Sequence, residues 1–509
     1  MDEITERILS HFREVSSIPR CSKNEEKIAM WLKQWALHHG FSVKFDSVNN
    51  IVIGVAGSKG CEYLPSIVVQ GHMDMVCEKT QDIDHDFSKD YIVPVVDGEW
   101  LRAQGTTLGA DNGIAIAIAL ALAEDKGLKH PPLELLFTVD EETGLTGANA
   151  LTHDFISGEI LLNVDSEDEG VFTVGCAGGL NTTITMPVDL SPLPENMITF
   201  NLVVNGLAGG HSGVDIHEGR ANANKLIAGA LNSIADRMDI RIVDIKGGSA
   251  HNAIPRYAQA IVAVLANKQE ELSKLISDLE SEMKSDYSEI ETGLAIRIEG
   301  CSSPSFDLQK ETMESIGPET SSRIIGLLQE LPHGVASMSA DIEGLVETSS
   351  NLATINIKDG KLVVISSQRS SVDSGLAALT SSIENIAKKY GADYEHNSGY
   401  PPWQPDMSSP LLKRCMEIYS SVFTKKAKIE VIHAGLECAV IGSKFENIDM
   451  ISFGPTIKNP HSPDECLHIP SIRKIWDFMV VLLESFAVMD EKKKRGKAKK
   501  KGKGQSSRS

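Results

Sequence analysis

The sequence has no C-x-x-C pair, although it contains eight cysteines in 509 residues. A zinc ribbon needs closely spaced cysteine pairs, so this spacing excludes one, and it gives no disulfide framework. Reduced thiols in a cytoplasmic protein are therefore expected. The first residues, MDEITERILSHF, lack the apolar core of a signal peptide and have the periodicity of a charged amphipathic helix.

Long apolar runs are also missing. The longest, IAIAIALALA at residues 114–123, has ten residues, half of what a membrane-spanning helix requires. This run predicts a fully buried helix, and no membrane partner is expected. The sequence also lacks a G-x-S-x-G nucleophile elbow, a Walker phosphate loop, H-E-x-x-H and G-x-G-x-x-G, which argues against the chemistries that those motifs serve.

Basic residues are scarce outside the C-terminus. Residues 1–490 contain 39 Lys and Arg against 69 Asp and Glu, whereas residues 491–509 contain eight Lys and two Arg against one Glu. An acidic body argues against nucleic-acid binding and is compatible with divalent cations. The segment 489–509 is basic and of low complexity, and it is predicted to be a disordered tail.

Apolar strands that end in polar residues indicate an α/β fold in the first third of the chain. SIVVQGHMDMV, LELLFTVDEE and EILLNVDSEDEG have this form, and the buried helix separates the first two. From about residue 184 the strands alternate, as in ITFNLVVNGL, which is typical of an α+β domain with one solvated sheet face. The α/β pattern returns near residue 395.

One α/β domain is therefore predicted to be interrupted by a second domain. Residues 1–183 and 395–488 would form a catalytic, metal-binding domain in which helices flank a central mixed sheet. Residues 184–394 would form an inserted α+β lid or dimerisation domain. A chain of this length exceeds what one hydrophobic core normally holds, which favours two domains. A monomer and a homodimer both stay open.

Five candidate metal ligands lie at strand or helix ends beside glycine-rich turns: His72, Asp111, Glu142, Asp165 and His461. Histidine and carboxylate ligands without a thiolate suit zinc, cobalt or manganese. Five ligands are one too many for a single tetrahedral zinc, but they fit two metals that share a bridging carboxylate. Taken singly, a histidine at a strand end usually makes a hydrogen bond, and Asp111 could cap its helix. Their common position favours the metal site.

Longer motifs carry a resemblance to a known family. GHMDM, GTTLGADNGIA, DEETGLTGA, NVDSEDEG, GGHSG and GPTIKNPHSPDE occur in this order. They resemble the dinuclear zinc peptidases of the aminoacylase and carnosinase family, and within it the aminoacyl-histidine dipeptidases (cytosolic non-specific dipeptidases, or peptidase D). CAGG, GRANANKL, HNAIPR, YPPWQPD and IHAGLEC extend the resemblance to about residue 488. It implies the zinc-peptidase fold and two zinc ions per chain, for which cobalt or manganese could substitute.

The resemblance distributes the five ligands between two metals. His72 and Asp165 would bind one zinc, Glu142 and His461 would bind the other, and Asp111 would be the bridge. The peptide bond that follows Asp111 would be cis.

The resemblance also implies the catalytic residues. Glu141 would be the general base, and Asp74 would be the acid that orients His72. His211 in GGHSG would stabilise the oxyanion, and because it belongs to the inserted domain, domain closure would carry it to the zinc ions.

Three further residues would bind the substrate. Arg369 and Asn252 would anchor its C-terminal carboxylate, and Glu437 would meet its free amine. Considered alone, Arg369 could be a surface arginine and Asn252 a turn residue. The substrate would be a small peptide.

The predicted function is the hydrolysis of dipeptides by a water that two zinc ions activate, with Xaa-His dipeptides, including the β-Ala-His type, preferred. Two other functions stay open. One is an aminoacylase or carboxypeptidase that acts on N-acyl amino acids. The other is a catalytically silent binding protein on the same fold.

Overall fold

The computed structural model describes residues 1–300, 313–340, 342–397, 399–445 and 447–503, and for residues 488–503 it describes the backbone alone. The chain divides into two compact units. The first contains Met1–Gly175, Pro405–Val431 and Leu436–Ser509, and the second contains Cys176–Gln404 and Ile432–Gly435. Among the helices of the described residues, none has both the length and the hydropathy that a membrane-spanning segment needs.

The α-helices of the described residues are α1 Glu3–Ser16, α2 Glu26–His38, α3 Ala110–Glu124, α4 Glu141–Gly144, α5 Thr146–Ala150, α6 Ala223–Ala235, α7 Gln269–Asp286, α8 Pro318–Glu330, α9 Asp373–Lys389, α10 Pro410–Phe423, α11 Glu437–Lys444 and α12 Ile469–Lys503.

The β-strands of the same residues are β1 Ser42–Phe45, β2 Ile51–Val55, β3 Ile67–His72, β4 Val95–Asp97, β5 Trp100–Arg102, β6 Leu133–Thr138, β7 Ile160–Asn163, β8 Val171–Cys176, β9 Gly178–Pro187, β10 Leu190–Pro192, β11 Met197–Asn205, β12 Gly210–His211, β13 Ile240–Gly247, β14 Ala253–Ile254, β15 Ala258–Leu265, β16 Ala295–Gly300, β17 Glu314–Ile316, β18 Gly334–Met338, β19 Val346–Lys358, β20 Lys361–Ser370, β21 Asp393–His396, β22 Lys428–Ile432, β23 Asp449–Ser452, β24 Ile457–Lys458 and β25 Cys466–His468.

The first unit contains an eight-stranded sheet in the order β1-β2-β6-β3-β7-β23-β8-β22. Strand β3 is parallel to both β6 and β7, and β7 is parallel to β23, whereas β1, β2 and β6 pair antiparallel. Every residue of β3 is buried, as expected for a central strand that helices cover on both faces. The predicted α/β class with a central mixed sheet is confirmed. The carboxyl ends of β3, β6 and β7 therefore lie side by side at one edge of the sheet.

Helix α3 confirms the prediction of a buried helix. Its residues 113–122 are all buried, because alanine, isoleucine and leucine surround the helix on every side and leave no polar face. It packs between α1 and strand β3. Its N-terminus is thereby held against the end of the central strand.

The second unit is an α+β domain, as predicted. Its main sheet has the order β16-β11-β15-β13-β19-β20-β9-β21, with β18 paired to β19, and the pairings of its described strands are antiparallel. Buried apolar residues of α6 to α9 form one core with those of the strands. Strand β11 alternates between buried and half-buried residues along its second half, the pattern from which the solvated sheet face was predicted.

The limits of the two units differ from the predicted ones. Strand β9 begins at Gly178, before the predicted limit at residue 184, and β21 extends across residue 395. Both strands pair within the sheet of the second unit, so hydrogen bonding assigns them to it. Ile432–Gly435 also belong to the second unit, which no sequence pattern indicates. The roles of the units as catalytic domain and lid stay predictions.

The C-terminal segment also differs from the prediction of a disordered tail. Helix α12 continues to Lys503, through most of residues 489–509. Lysine, arginine, glutamate and alanine are strong helix formers, and a helix that has already begun gains one hydrogen bond for each residue added. Residues 504–509 of the predicted tail lie outside the described residues.

Two cysteines contradict the prediction of reduced thiols. Cys21 and Cys77 form a disulfide, with their Cα atoms 5.7 Å apart. An isolated parallel bridge between Cys21 and Met75 brings the two segments together, and this proximity is a product of the fold rather than of cysteine spacing. Cys61, Cys415 and Cys466 are buried thiols, and Cys301 lies outside the described residues.

Candidate metal centre

His72 is the last residue of the central strand β3 and is almost completely buried. Its Nδ1 lies 3.2 Å from Asp74 Oδ1, and its Nε2 lies 3.1 Å from Asp111 Oδ1. Asp165, just beyond the neighbouring strand β7, has its Oδ1 3.4 Å from the same Nε2. One ring nitrogen therefore faces Asp74, and the other faces two carboxylates that come from different segments.

Asp111 lies in the first turn of α3, two residues after Gly109, whose backbone is left-handed. Its peptide bond to the next residue is cis, as the resemblance predicts. Its Oδ2 lies 3.1 Å from Nε2 of His461, while its Oδ1 faces His72. The two oxygens of one carboxylate thus face two different histidines.

Glu142 completes the group around the second histidine. Its Oε2 lies 3.0 Å from His461 Nε2. Its Oε1 and the Oδ1 of Asp165 are buried and form no hydrogen bond with any described residue. Buried carboxylate oxygens normally have partners, so these two atoms are available as ligands.

Two groups of three residues have potential ligand atoms within 4.8 Å of one another and share Asp111. The first consists of His72, Asp111 and Asp165, and the second of Asp111, Glu142 and His461. These are the two predicted ligand sets, and the structure brings the members of each set together. Their binding of metal stays a prediction.

The carboxylates give the centre a strongly negative potential. Hydrogen bonds to Asp111 and Glu142 raise the pKa of His461 to about 11. Burial acts to lower the pKa of His72, but Asp165, Asp111 and Asp74 outweigh it and hold the pKa well above its usual value. The centre therefore attracts positive charge, which a divalent cation would supply in place of the two protons.

The three consecutive carboxylates at residues 140–142 lie in two places. Glu141 and Glu142 each have an oxygen within 4.8 Å of the other and of a ring nitrogen of His72, whereas Asp140 binds two threonines. The backbone N–H groups of Glu141 and Glu142 donate to the two oxygens of Asp74, at 3.0 and 3.2 Å. Asp140 is buried and accepts the hydroxyl protons of Thr143 and Thr146. Burial raises the pKa of Glu141 well above its usual value, with neighbouring carboxylates adding to the effect and His72 opposing it.

A further group of three buried carboxylates consists of Glu25, Asp74 and Asp140. Its oxygens already have donors: Glu25 Oε1 accepts the N–H of Asp140 at 2.9 Å, and Asp74 Oδ2 accepts the hydroxyl of Ser22 at 2.9 Å. Since hydrogen bonds saturate these groups, their geometry is that of a supporting layer behind His72.

Glu437 also belongs to the first unit and is completely buried. Its Oε2 accepts hydrogen bonds from Gln70 Nε2 at 2.6 Å and Thr138 Oγ1 at 2.7 Å, at the ends of β3 and β6. Its Oε1 has no hydrogen-bond donor among the described residues. Burial raises its pKa to about 8. It therefore offers one unused carboxylate oxygen at the same edge of the sheet.

His211 belongs to the second unit, in the short strand β12 that pairs with β14. Its Nδ1 accepts the backbone N–H groups of Gly213 and Val214, at 3.3 and 3.0 Å. Burial lowers its pKa, and the charge of Arg369 lowers it further. The ring is therefore neutral, and because Nδ1 is an acceptor the proton is on Nε2.

Arg369 lies in β20 of the second unit and is buried rather than a surface residue. Its Nη1 donates to the hydroxyl of Tyr400 at 2.7 Å, and its Nε has no acceptor among the described residues. A cavity of about 50 Å³ is lined by Arg369, Tyr400 and His251, among others. Asn252, the other predicted carboxylate anchor, is exposed, and its backbone carbonyl accepts the N–H of Ser212.

Sequence reasoning missed several residues that hydrogen-bond to the candidate ligands, to the backbone beside them or to Arg369. Asn112 accepts the N–H of His72 and donates to the carbonyl of Val164, so it joins two ligand-bearing strands. Asn112, Tyr400 and Glu465 lie within the motifs that carried the resemblance, which could have indicated them. Arg20 lies in IPRCS, which is not one of the motifs that carried the resemblance.

The peptidase family M20/M25/M40 matches residues 68–485. The cytosol non-specific dipeptidase of Escherichia coli is 40% identical over 473 residues, which are 93% of this chain and 96% of that protein.

The fold is similar to those of solved peptidases. The aminoacylhistidine dipeptidase of Vibrio alginolyticus has a TM-score of 0.86 and 41% identity, covering 95% of this chain and 98% of that one. The aminopeptidase PepT of Bacillus cereus has a TM-score of 0.51 and 16% identity, covering 95% of this chain and 99% of that one, a likeness of fold alone.

Proposed function

Because the chain belongs to the peptidase family M20/M25/M40, we propose that it is a metal-dependent dipeptidase that prefers Xaa-His dipeptides, including the β-Ala-His type. The similarity to two dipeptidases over nearly the whole chain supports the activity, and the name of the Vibrio enzyme supports the preference for histidine. The observation that carries the proposal is the position of Asp111 between two histidines, each with a further carboxylate beside it.

The proposed metals are two zinc ions, with cobalt or manganese as substitutes. His72 and Asp165 would hold one ion, Glu142 and His461 the other, and Asp111 would touch both. The buried oxygens without donors on Glu142 and Asp165, and a donor set of imidazoles and carboxylates, fit such ions. When bound, the two cations would polarise the scissile carbonyl and lower the pKa of water.

Glu141 is the proposed general base. It accepts a proton from the attacking water while the water oxygen bonds to the carbonyl carbon, and it then passes this proton to the departing amine as the C–N bond breaks. Asp74 supports both groups. One of its oxygens faces His72 Nδ1 and accepts the N–H of Glu141, so the ring and the base are held by the same carboxylate.

His211 is the proposed donor to the oxygen that becomes negative as the carbonyl is attacked. A donor suits this task when its proton is fixed and its ring is neutral, since no reorganisation is then needed. The two N–H groups that bind Nδ1 leave the proton on Nε2, and burial keeps the ring uncharged.

The proposed substrate contacts use the unsatisfied polar atoms. Arg369 would bind the C-terminal carboxylate, because its guanidinium is buried and its Nε–H has no acceptor among the described residues. Asn252 would assist from its exposed position. Glu437 Oε1, which accepts no hydrogen bond from a described residue, would receive the free amine.

The proposed setting is the cytoplasm, where small peptides are the partners and neither nucleic acid nor a membrane takes part. The acidic balance of residues 1–490 disfavours phosphate backbones. The mass of the purified chain in solution distinguishes a monomer from a homodimer.

A panel of substrates tests the proposal. The purified chain should hydrolyse Ala-His and β-Ala-His, lose this activity in a chelator and regain it with zinc. The acetylated amine of acetyl-His cannot pair with Glu437, so a dipeptidase should hydrolyse acetyl-His more slowly than Ala-His. Faster hydrolysis of acetyl-His would instead identify an aminoacylase. No hydrolysis of any dipeptide with zinc bound would indicate a silent binding protein.

A further inference from the structure

We propose that Glu465 and Arg20 are positioning residues that clamp the backbone around Asp111 and thereby set its place between His72 and His461. This inference rests on the proposed function, because it assigns the clamp to the proposed bridging ligand. Neither residue belongs to the ligand sets or to the proposed acid–base chemistry.

Glu465 binds the segment that carries Asp111 through its backbone. Only 2% of its surface is exposed. One oxygen accepts the N–H groups of Leu108 and Gly109 at 2.7 and 2.9 Å, and the other accepts those of Ala110 and Asp111 at 2.8 and 3.2 Å. Gly109 has φ +68°, a left-handed conformation that turns successive N–H groups toward one point. Four donors thus converge on one buried carboxylate.

Arg20 binds the same segment from another side. It is 1% exposed, and its Nη1 donates to the carbonyls of Met73 and Asp74 at 2.9 and 2.8 Å. Its Nη2 donates to the carbonyl of Gly109. A Cβ on Gly109 or Gly113 would lie 2.6 Å from this Nη2, so the two glycines make room for the guanidinium. Arg20 therefore joins the end of the His72 strand to the Asp111 segment.

The two clamps connect all the segments that meet at the bridging carboxylate. Glu465 follows His461 by four positions, so the loop that carries His461 also holds the backbone of Asp111. Asp111 in turn places one oxygen 3.1 Å from each histidine. A shift of the Asp111 backbone would change both distances at once.

The charge of Glu465 also acts on Arg20. Burial lowers the pKa of Arg20 to about 10, and Glu465 is the strongest of the negative charges that oppose this effect. Among the described residues, Arg20 donates to backbone carbonyls and Glu465 accepts from backbone N–H groups, so a change of either acts on the position of the proposed ligands rather than on their identity.

Glu465→Gln tests the clamp with little change of volume. The amide nitrogen cannot accept, so it faces two backbone N–H groups that lose their acceptor. Loss of a residue that supports a metal ligand typically costs ~10–100-fold in metal affinity. We expect an increase of this size in the zinc dissociation constant, measured on the full chain by competition with a chromophoric chelator.

Glu291→Gln is the matched control. Glu291 is also buried, and its two oxygens accept the backbone N–H groups of Ala208 and Ala221 at 2.7 and 2.9 Å, but it belongs to the second unit. Both variants should lower the midpoint of thermal unfolding of the metal-free protein. Only Glu465→Gln should weaken zinc binding.

Arg20→Lys provides a second test if Glu465→Gln does not fold, because one ammonium group cannot span the carbonyls that the guanidinium joins. It should also weaken zinc binding. Two results would refute the clamp and leave the proposed function intact. One is wild-type zinc affinity in folded Glu465→Gln and Arg20→Lys. The other is a loss of zinc affinity in Glu291→Gln as large as that in Glu465→Gln. Failure of the wild-type chain to bind zinc would overturn both.

Discussion

Glu141→Gln and Glu142→Gln are adjacent substitutions of equal size for which we expect different results. The backbone N–H groups of both residues donate to Asp74, so the loop should stay in place when either side chain becomes an amide. An oxygen of each side chain lies within 4.8 Å of a ring nitrogen of His72, but the two residues differ in their further partners. Glu142 Oε2 lies 3.0 Å from His461, in the second proposed ligand set, whereas Glu141 belongs to neither of those sets.

The expected loss in Glu141→Gln follows from the role of a proton acceptor. General-base catalysis is worth ~10²–10⁴-fold, and at ~1.4 kcal/mol per tenfold this is ~3–5 kcal/mol of barrier. The turnover number should fall by at least ~10²-fold, because the same carboxylate also protonates the leaving amine. Zinc content should not change. Glu142→Gln should instead lower the zinc content together with the activity.

Zinc per chain and the rate of Ala-His hydrolysis are measured side by side. Added zinc should partly restore Glu142→Gln and have no effect on Glu141→Gln. Glu134→Gln serves as a control, because Glu134 lies toward the opposite end of β6 and binds Ser157. Loss of zinc from Glu141→Gln with two zinc ions retained in Glu142→Gln would show that the roles are exchanged. An unchanged rate in both variants would refute the reasoning.

Three further results are expected. His211→Gln should lower kcat by ~10²–10³-fold, the usual cost of a lost oxyanion donor, with zinc content unchanged; a parallel loss of zinc would contradict this role. Tyr400→Phe removes the acceptor of an Arg369 N–H, so KM should rise while kcat stays the same, and an unchanged KM would exclude Tyr400 as a support of that arginine. Cys21→Ser should lower the free energy of unfolding by ~4 kcal/mol in urea titrations under oxidising conditions, because the disulfide to Cys77 closes a loop with a sequence separation of 56. With a reductant present the variant and the wild type should unfold alike, and an equal difference in both buffers would mean that the disulfide is not its source.

The buried helix α3 and the polar strand ends could be predicted because their signals are local. An all-apolar helix and a strand that ends in H-x-D are visible within a dozen residues, and longer motifs then indicated the ligand sets. The contacts of the clamp could not be predicted in this way, although Glu465 lies in a motif that carried the resemblance. Arg20 binds a carbonyl 89 positions away, and Glu465 binds the N–H of Asp111 at a separation of 354. Such contacts follow from topology. So do the disulfide and the assignment of Ile432–Gly435 to the second unit.

The position of β23 in the sheet determines when, during synthesis of the chain, the first unit can complete its sheet. Strand β23 lies between β7 and β8, although the ribosome makes it after the whole second unit. At ~5–20 residues per second, His461 follows His72 by ~20–80 s. The inserted unit can therefore complete its own sheet while the first unit still has an open strand edge, a template for pairing with other chains. A chain released before residue 449 keeps that edge and lacks its last proposed ligand, so we expect premature termination to yield an inactive product that is prone to aggregation.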